Sequence, residues 1–495
     1  MRYSKKIIIL ALLVAGVVLI YKFWGLQGPF AFLFILGAAV VLHEFGHFIV
    51  AKMFKIRVET FSVGFGPRLF GRKWGDTDYR VSAIPLGGYV KLGGDESNAA
   101  IEGAGESDIP PEEQFSLRPR WQKIAVSIAG PVMNVLTALA IPFIAGLLWG
   151  VPIAPTSPTI NRIEPNSAAQ VAGLQPGDRI VSFNGMDNPT WDSIHGDATV
   201  APTKEAQPIP MVIERDGKRI PMSVTPKLVK VDTETIGELG IMPDYGIAVP
   251  VTIGSVEKGS PAEQASLQPG DRLVAINGTP VRNRAQATQL IRENQAEQVT
   301  LTIEREGKQL EVKSGVQRIK DDQGHERARL GIGLDDVVPR QNVGLSGTAR
   351  YAVNSNVEIM RLTGKALGQL FTGQRRVSET LSGPIGIARA STTAVEAGGW
   401  SGIFVMLGFL SLNLGVFNLL PIPVLDGGAI FLLLIEAVLG LIGVTLSMTM
   451  RERIQQVGFV VLLLLMGFVI TNDLIKEASR LKSSGDPPAA TAPQK

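Results

Sequence analysis

The chain contains no cysteine, which excludes disulfides, thiol nucleophiles and thiolate ligands and leaves imidazole and carboxylate as its strong zinc ligands. Histidine is almost as scarce: His43, His47, His195 and His325 are the four in 495 residues. Charge is sparse too, at 19% of residues with a net value of +3, so no global field points to nucleic acid, and basic residues inform only through their placement. What is abundant is apolar. A chain this long with 45% hydrophobic residues is too large for one domain and too apolar for a wholly soluble protein, which implies a multi-pass membrane protein with a soluble portion.

Two of the four histidines fall in one pentapeptide, His43-Glu44-Phe45-Gly46-His47, inside an apolar run from about Phe30 to Val50. On a helix, residues four apart project from one face a turn apart, the spacing that two ligands of one zinc ion need. Glu44 then sits beside the metal, where a carboxylate can take a proton from water that the metal acidifies. An ionisable group at membrane depth costs roughly 2.5 to 3.5 kcal/mol, which apolar packing does not repay, so a chance match of three letters is the weaker reading.

Lys5 and Lys6 precede an apolar run from Ile7 to about Trp24, read as an extra N-terminal transmembrane helix (residues 1–28) that is retained ahead of the zinc helix (29–57). Lys52, Lys55 and Arg57 after that helix, and Arg118, Arg120 and Lys123 before the span at 118–150, mark both ends as cytoplasmic. Residues 58–117 are read as a cytoplasmic β-region and loop: strand-like pieces punctuated by glycine over 58–95, among them Gly87-Gly88-Tyr89-Val90, then an acidic, Pro-containing mobile loop over 96–117. Two readings stand level: a small sheet at the membrane face whose open edge accepts an unwound substrate, or a loop that ties two helices together. Gly130-Pro131-Val132-Met133-Asn134 puts a helix-weakening pair and a buried amide at membrane depth, and packing is the expected role of Asn134.

From about Val151 to Arg340 the pattern is that of a soluble protein with an internal repeat: Ser167 to Ile180 recurs at Ser260 to Leu273, an offset of 93 residues. Each copy reads strand, short helix, Pro-Gly-Asp turn, strand, Asn-Gly, and resembles a PDZ domain of the bacterial type, in which a Leu-Gly-Ile strand precedes the repeat, as Leu239-Gly240-Ile241 does for the second copy. The expected boundaries are 151–235 and 236–340. Such domains take extended peptides at a strand edge, so peptide C-termini are expected partners. The tandem lies opposite the cytoplasmic loop. Residues 341–399 are read as a membrane-surface helical region from the apolar stripe over Val353 to Phe371, or equally as a helix buried on the second PDZ-like unit.

A span at 400–428 runs into Asn418-Leu419-Leu420-Pro421-Ile422-Pro423-Val424-Leu425-Asp426-Gly427-Gly428. Pro421 and Pro423 break the helix, so the freed backbone groups must be buried in protein or face a cavity. Asp426 is the acidic residue of the apolar stretch from Trp400 to Leu434, and a two-histidine site still needs a third ligand; a turn or capping aspartate is the competing reading. Residues 429–456 are expected to fold back as a re-entrant or surface helix, because Arg451 and Arg453 keep their end cytoplasmic. Residues 457–475 form the last span and 476–495 a disordered tail.

Taken together, HExxH in one span, Gly-Pro-x-x-Asn in the next, PDZ-like units in the connection and Asn-x-x-Pro-x-Pro-x-Leu-Asp-Gly-Gly in a later span resemble the site-2 protease family of intramembrane zinc metalloproteases, from residue 30 onward. The fold expected is a multi-pass α-helical membrane protein with a small membrane-associated β-region and two inserted PDZ-like α/β domains. The resemblance implies Zn2+ held by His43, His47 and Asp426, with Glu44 as catalytic base. It also implies substrate contacts from Asn418 and from Gly87, Gly88, Tyr89 and Val90, and motif residues Gly130, Pro131, Asn134, Pro421, Pro423, Gly427 and Gly428. The implied substrates are single-pass membrane proteins, such as a pre-trimmed anti-sigma factor in envelope stress signalling, and remnant signal peptides. The implied setting is the lipid bilayer of a bacterial inner membrane, with the tandem periplasmic and the active site near the cytoplasm. Ala429 stands where the family often has a histidine; that histidine is not a ligand, so the metal assignment is unaffected. The alternative is a membrane PDZ adaptor with a non-catalytic metal centre, but an adaptor has no use for Glu44, and structural zinc sites fill all four positions with protein ligands. A metal transporter would string its ligands along a path.

Overall fold

A computed structural model describes residues 27–94, 109–153, 155, 157–231, 234–243, 250–281, 284–292, 294–320, 326–336, 340–442 and 447–485. The expected helix over residues 7–24 lies outside the described residues. The chain divides into a membrane unit (Met1–Ala145, Lys230–Thr235, Ser346–Lys495) and a second unit (Gly146–Val229, Ile236–Leu345) that holds the two repeats.

Among the described residues, four helical segments are long and apolar enough to cross a membrane: Phe30–Met53, Arg120–Trp149, Gly398–Asn418 and Arg453–Ala478. The first lies in α1 (Gln27–Met53) and the second is α2 (Arg120–Trp149). Between them a hairpin runs out along β1 (Val58–Trp74) and back along β2 (Thr77–Leu92). The expected short pieces are thus two long strands. They bend at glycines with positive φ, including Gly64 and Gly87, so that Phe61 of β1 is flanked by Tyr79 on one side and Val90 on the other. Val58, Val90 and Leu92 share a core with Ala51 of α1 and Val126 of α2, which fixes the inner end of the hairpin to the membrane helices.

In the second unit each repeat builds antiparallel strands with a one-turn helix (Ala168–Val171 or Pro261–Gln264) and a longer one. The first packs α3 (Trp191–Thr199) over Ile180, Phe183 and Ile213; the second packs α4 (Arg284–Arg292) over Leu273, Ile276 and Leu301. The aspartate of each Pro-Gly-Asp turn is gripped by a guanidinium fork, Arg215 on Asp178 and Arg305 on Asp271, at 2.6 and 2.7 Å in both repeats. Burial raises these carboxyls, but the arginine fork and the backbone N–H of Gln175 or Gln268 outweigh it and hold both below the usual carboxylate range.

The Leu-Gly-Ile strand does not open the second repeat as expected. It closes the first: Leu239 joins the first core, Ala169 N–H and Glu164 N–H donate to the carbonyls of Leu239 and Gly240, and Ile241–Pro243 pairs with Ile160–Ile163. Leu330-Gly331-Ile332 does the same for the second repeat, with Ala262 N–H and Glu257 N–H as donors and Val251–Val256 as the paired strand. The boundary expected at 235/236 therefore moves past Pro243, because backbone pairing and core burial tie that strand to the repeat it follows.

The membrane unit resumes with α5 (Gly344–Phe371), whose buried residues are Thr348, Ala352, Asn356 and Gln369, while Leu345, Val353, Val357, Met360 and Phe371 are exposed. That is the reverse of a water-facing helix. Asn356 Nδ2 donates to the Ala138 carbonyl, so the polar face packs on α2. Helix α6 (Pro384–Asn418) breaks at Gly399 (φ 54°) between its first turns and the spanning segment. Helix α7 (Asp426–Leu441) has 16 residues and is shorter than a span, and α8 (Met448–Gly485) already begins within the segment expected to be a fold-back. The tail expected to be disordered from 476 is helical to Gly485. Its entry is pinned, because Asp473 accepts from the N–H groups of Gly383, Ile385 and Gly386, while Asn472 and Lys476 donate to the Leu381 carbonyl.

Candidate metal centre

His43 and His47 project from one face of α1, as their spacing demands, and the place they point to is made by α2. A side chain on Gly46 would put its Cβ 2.2 Å from the Ala129 carbonyl oxygen, so α1 and α2 cross in near backbone contact. Beside that crossing, a Cβ on Gly130 would lie 2.3 Å from His47 Nε2 and 2.8 Å from His43 Cε1. Gly130 is the cradle of both imidazoles. One turn earlier the Val126 carbonyl lies 2.7 Å from His47 Nδ1 and accepts from it, which assigns the proton to Nδ1 and leaves the Nε2 lone pair free.

His43 has its own support. Asn134 is fully buried, its amide nitrogen is 3.2 Å from His43 Nδ1, and its amide oxygen has no partner among the described residues. Turning the amide over lets that oxygen accept from Nδ1–H, which frees His43 Nε2 in the same way. Asn134 therefore does more than the packing expected of it. The signal was in the sequence: Gly130 and Asn134 are four apart, so the residue that cradles the rings and the one that orients His43 share a helix face.

The third group comes from far along the chain. After α6 ends at Asn418, the Pro421/Pro423 segment doubles back over the start of α7, where a Cβ on Gly427 would fall 2.3 Å from the Leu419 carbonyl and one on Gly428 2.2 Å from that of Ile422. Only glycine fits at either position. Val424 adopts φ 83°, a conformation that costs a β-branched residue about 1–3 kcal/mol, so the surrounding packing holds this turn against its preference. The turn delivers Asp426 to the histidines: its Oδ2 is 3.0 Å from His43 Nε2 and its Oδ1 3.4 Å from His47 Nε2, and the two Nε2 atoms are 3.2 Å apart. Ligands at about 2.0 Å around a tetrahedral ion are about 3.3 Å from one another, so the donor set fits zinc, with one position left over.

Two sequence-predicted groups border the cluster. Asn418 Nδ2 is 3.4 Å from His43 Nε2, although 375 residues separate them in sequence. Glu44 turns to the hairpin: its Oε2 accepts from Val90 N–H at 3.1 Å. Gly87 and Gly88 let β2 lie against Val40 and Val41 of α1, one turn before the metal-binding residues. The side of β2 that does not pair with Phe61 thus faces the carboxylate.

Residues 31–465 match peptidase family M50. The chain belongs to this family, whose members include the site-2 proteases. It is 32% identical over 468 residues to the regulator of sigma-E protease RseP of Escherichia coli, covering 90% of this chain and 97% of that one. It is similarly 32% identical over 469 residues to a Neisseria meningitidis protein whose name carries the words zinc metalloprotease (90% and 98% covered), and 30% identical over 478 residues to a Vibrio cholerae protein named in the same way (90% and 98%). The chain is an integral membrane metalloprotease, and Zn2+ is its metal.

Proposed function

We propose that the chain cuts peptide bonds within the transmembrane segments of single-pass membrane proteins, with His43, His47 and Asp426 as zinc ligands and Glu44 as general base. The observation that carries this reading is the convergence of three donors at 3.0–3.4 Å beside a carboxylate that is itself bonded to a strand edge. Zinc at these ligands supplies a Lewis acid that polarises the scissile carbonyl and acidifies water. Glu44 takes the proton from the attacking water and passes it to the departing amine. A substrate helix shields its carbonyls by internal hydrogen bonds and must unwind; the outer edge of Gly87 to Val90 offers it strand pairing, with a substrate carbonyl replacing Glu44 at Val90 N–H and releasing the carboxylate for proton transfer. Asn418 donates to the carbonyl oxygen as charge develops on it.

Basic residues flanking α1 and α2 support a cytoplasmic side for Glu44 and a periplasmic one for the tandem in an inner membrane. The relatives named for sigma-E regulation support an anti-sigma factor, shortened beforehand by another protease, as a substrate in envelope stress signalling. Purified protein in detergent should carry zinc, cleave a model single-pass substrate inside its membrane segment, stop on chelation and resume on zinc addition. Cleavage only outside that segment would refute the proposal. Asn418→Ala should lower kcat by about 10²–10³-fold with zinc unchanged; lost zinc would instead assign Asn418 to support of the metal site.

The repeats are read as PDZ domains, inserted in the chain between two helices of the membrane unit. Two bodies of about 90 residues with radii of gyration near 12–13 Å make a bulky obstacle, so a substrate with a large ectodomain is refused and a trimmed one accepted. Replacing residues 155–335 with a flexible linker should raise cleavage of long-ectodomain substrates relative to trimmed ones. Unchanged selectivity would reduce the tandem to a scaffold, and complete loss of activity would mean that it positions the catalytic helices.

A further inference from the structure

The turn that carries Asp426 is backed by α8. An added Cβ on Gly458 would fall 2.2 Å from Pro423 Cβ, so helix backbone and proline ring touch. Beside that contact is a groove of about 390 Å³, lined by Ile422 and Pro423 from the turn and by Met450, Arg453, Val457 and Val461 from α8. Every side chain that lines it is apolar except that of Arg453.

The groove is therefore charged at one end only. Arg453 opens the membrane-spanning segment of α8, and Val457 and Val461 follow one and two turns deeper, about 12 Å along the helix. Arg451 is engaged by the buried Glu436, whereas Arg453 is exposed and has no ion pair among the described residues. A cation at the membrane boundary followed by an apolar channel matches the order of headgroup and chain in an anionic phospholipid, and basic pockets between spanning helices retain such headgroups. A peptide helix about 10 Å across needs roughly 900 Å³ over the same length, so the groove is too narrow for one and suits a single extended chain.

We propose that this groove binds one anionic phospholipid, its phosphate on Arg453 and an acyl chain against Ile422 and Pro423, and that the lipid braces the Asp426 turn. Val424 in that turn holds φ 83° against its preference. Gly428, two residues after Asp426, lies against Ile422 and Pro423, so what holds the groove wall also holds the metal-binding turn. The bracing rests on the reading of Asp426 as a zinc ligand; the binding does not.

The test titrates zinc-loaded full-length protein in neutral detergent with dioleoyl phosphatidylglycerol or dioleoyl phosphatidylcholine and counts bound lipid by native mass spectrometry. Phosphatidylglycerol should bind at least tenfold more tightly than phosphatidylcholine, and neither inorganic phosphate nor a model substrate should displace it. R453E should reduce that affinity at least tenfold, R453K should keep most of it, and Val457→Trp, which fills the groove without changing charge, should abolish it. Leu463→Trp, on the far side of α8, should have no effect. Zinc loss to a chelator should slow at least threefold when phosphatidylglycerol is added to wild type, and should not slow in R453E. Equal binding of the two lipids, displacement by phosphate or by substrate, undiminished binding by R453E or Val457→Trp, or loss on Leu463→Trp would each overturn the lipid site. Unchanged zinc loss from lipid-bound protein would overturn the bracing. Cleavage of a model substrate in phosphatidylcholine should be equal in wild type and every variant, which reports the fold; lipid counted by mass separates failure of the groove from failure of the protease reading.

Discussion

Glu44→Gln should leave zinc in place and lower peptide-bond hydrolysis by about 10²–10⁴-fold, the range associated with loss of a positioned general base. The amide keeps the size of the side chain and can still accept from Val90 N–H, so the contact between α1 and the hairpin survives. What it loses is the capacity to take a proton from water. Because Glu44 is not one of the three clustered donors, metal content and turnover should separate in this variant. His43→Ala or Asp426→Ala should lose both together, since each removes a donor within 3.4 Å of the others. Zinc measured by mass spectrometry beside cleavage of a model substrate decides the matter: near wild-type cleavage by Glu44→Gln would show that another group accepts the proton.

Gly130→Ala should weaken zinc binding by about 10–100-fold and bring activity down with it, although residue 130 touches neither metal nor substrate. The added methyl would fall 2.3 Å from His47 Nε2, and the ring is not free to retreat, because its Nδ1 is tied to the Val126 carbonyl on the same helix as the intruding methyl. Either that hydrogen bond breaks or α2 moves away from α1, whose approach at Gly46 is equally tight. Overpacking of this kind costs about 1–3 kcal/mol, and here the movement falls on the ligands themselves. Competition with a graded series of chelators measures the change. A Gly130→Ala protein that holds zinc as tightly as wild type would mean that the helices yield without disturbing the rings.

The contrast between these two variants marks how far the sequence could be read. Glu44 belongs to a local pattern: a helix places residues four apart on one face whatever surrounds it, so His43, Glu44 and His47 could be picked out from spacing and from the improbability of charge in an apolar run. The proline pair and Asp426 were visible for the same reason, as polar and helix-breaking residues in an apolar stretch. From sequence alone Gly130 and Asn134 read as residues of close helix packing. Their actual neighbours, the two imidazoles, lie on another helix and no local rule reveals them. Element boundaries failed where contacts overrode composition: the helix runs on to Gly485, past the expected boundary at 475/476, from a segment where Asp473 meets the backbone N–H groups at the start of α6.

The sequence by itself determined that this is a membrane protein with a histidine pair, an adjacent carboxylate and a duplicated soluble module, because periodicity, hydropathy and repetition depend only on neighbours along the chain. Tertiary structure alone decided that Asp426 reaches the histidines, that Glu44 faces the edge of β2, and that each Leu-Gly-Ile strand completes the repeat before it. Each of these depends on close approach between segments distant in sequence. Such approach is set by the absence of a Cβ, a strained turn or a backbone pairing, whose partner the local sequence does not name.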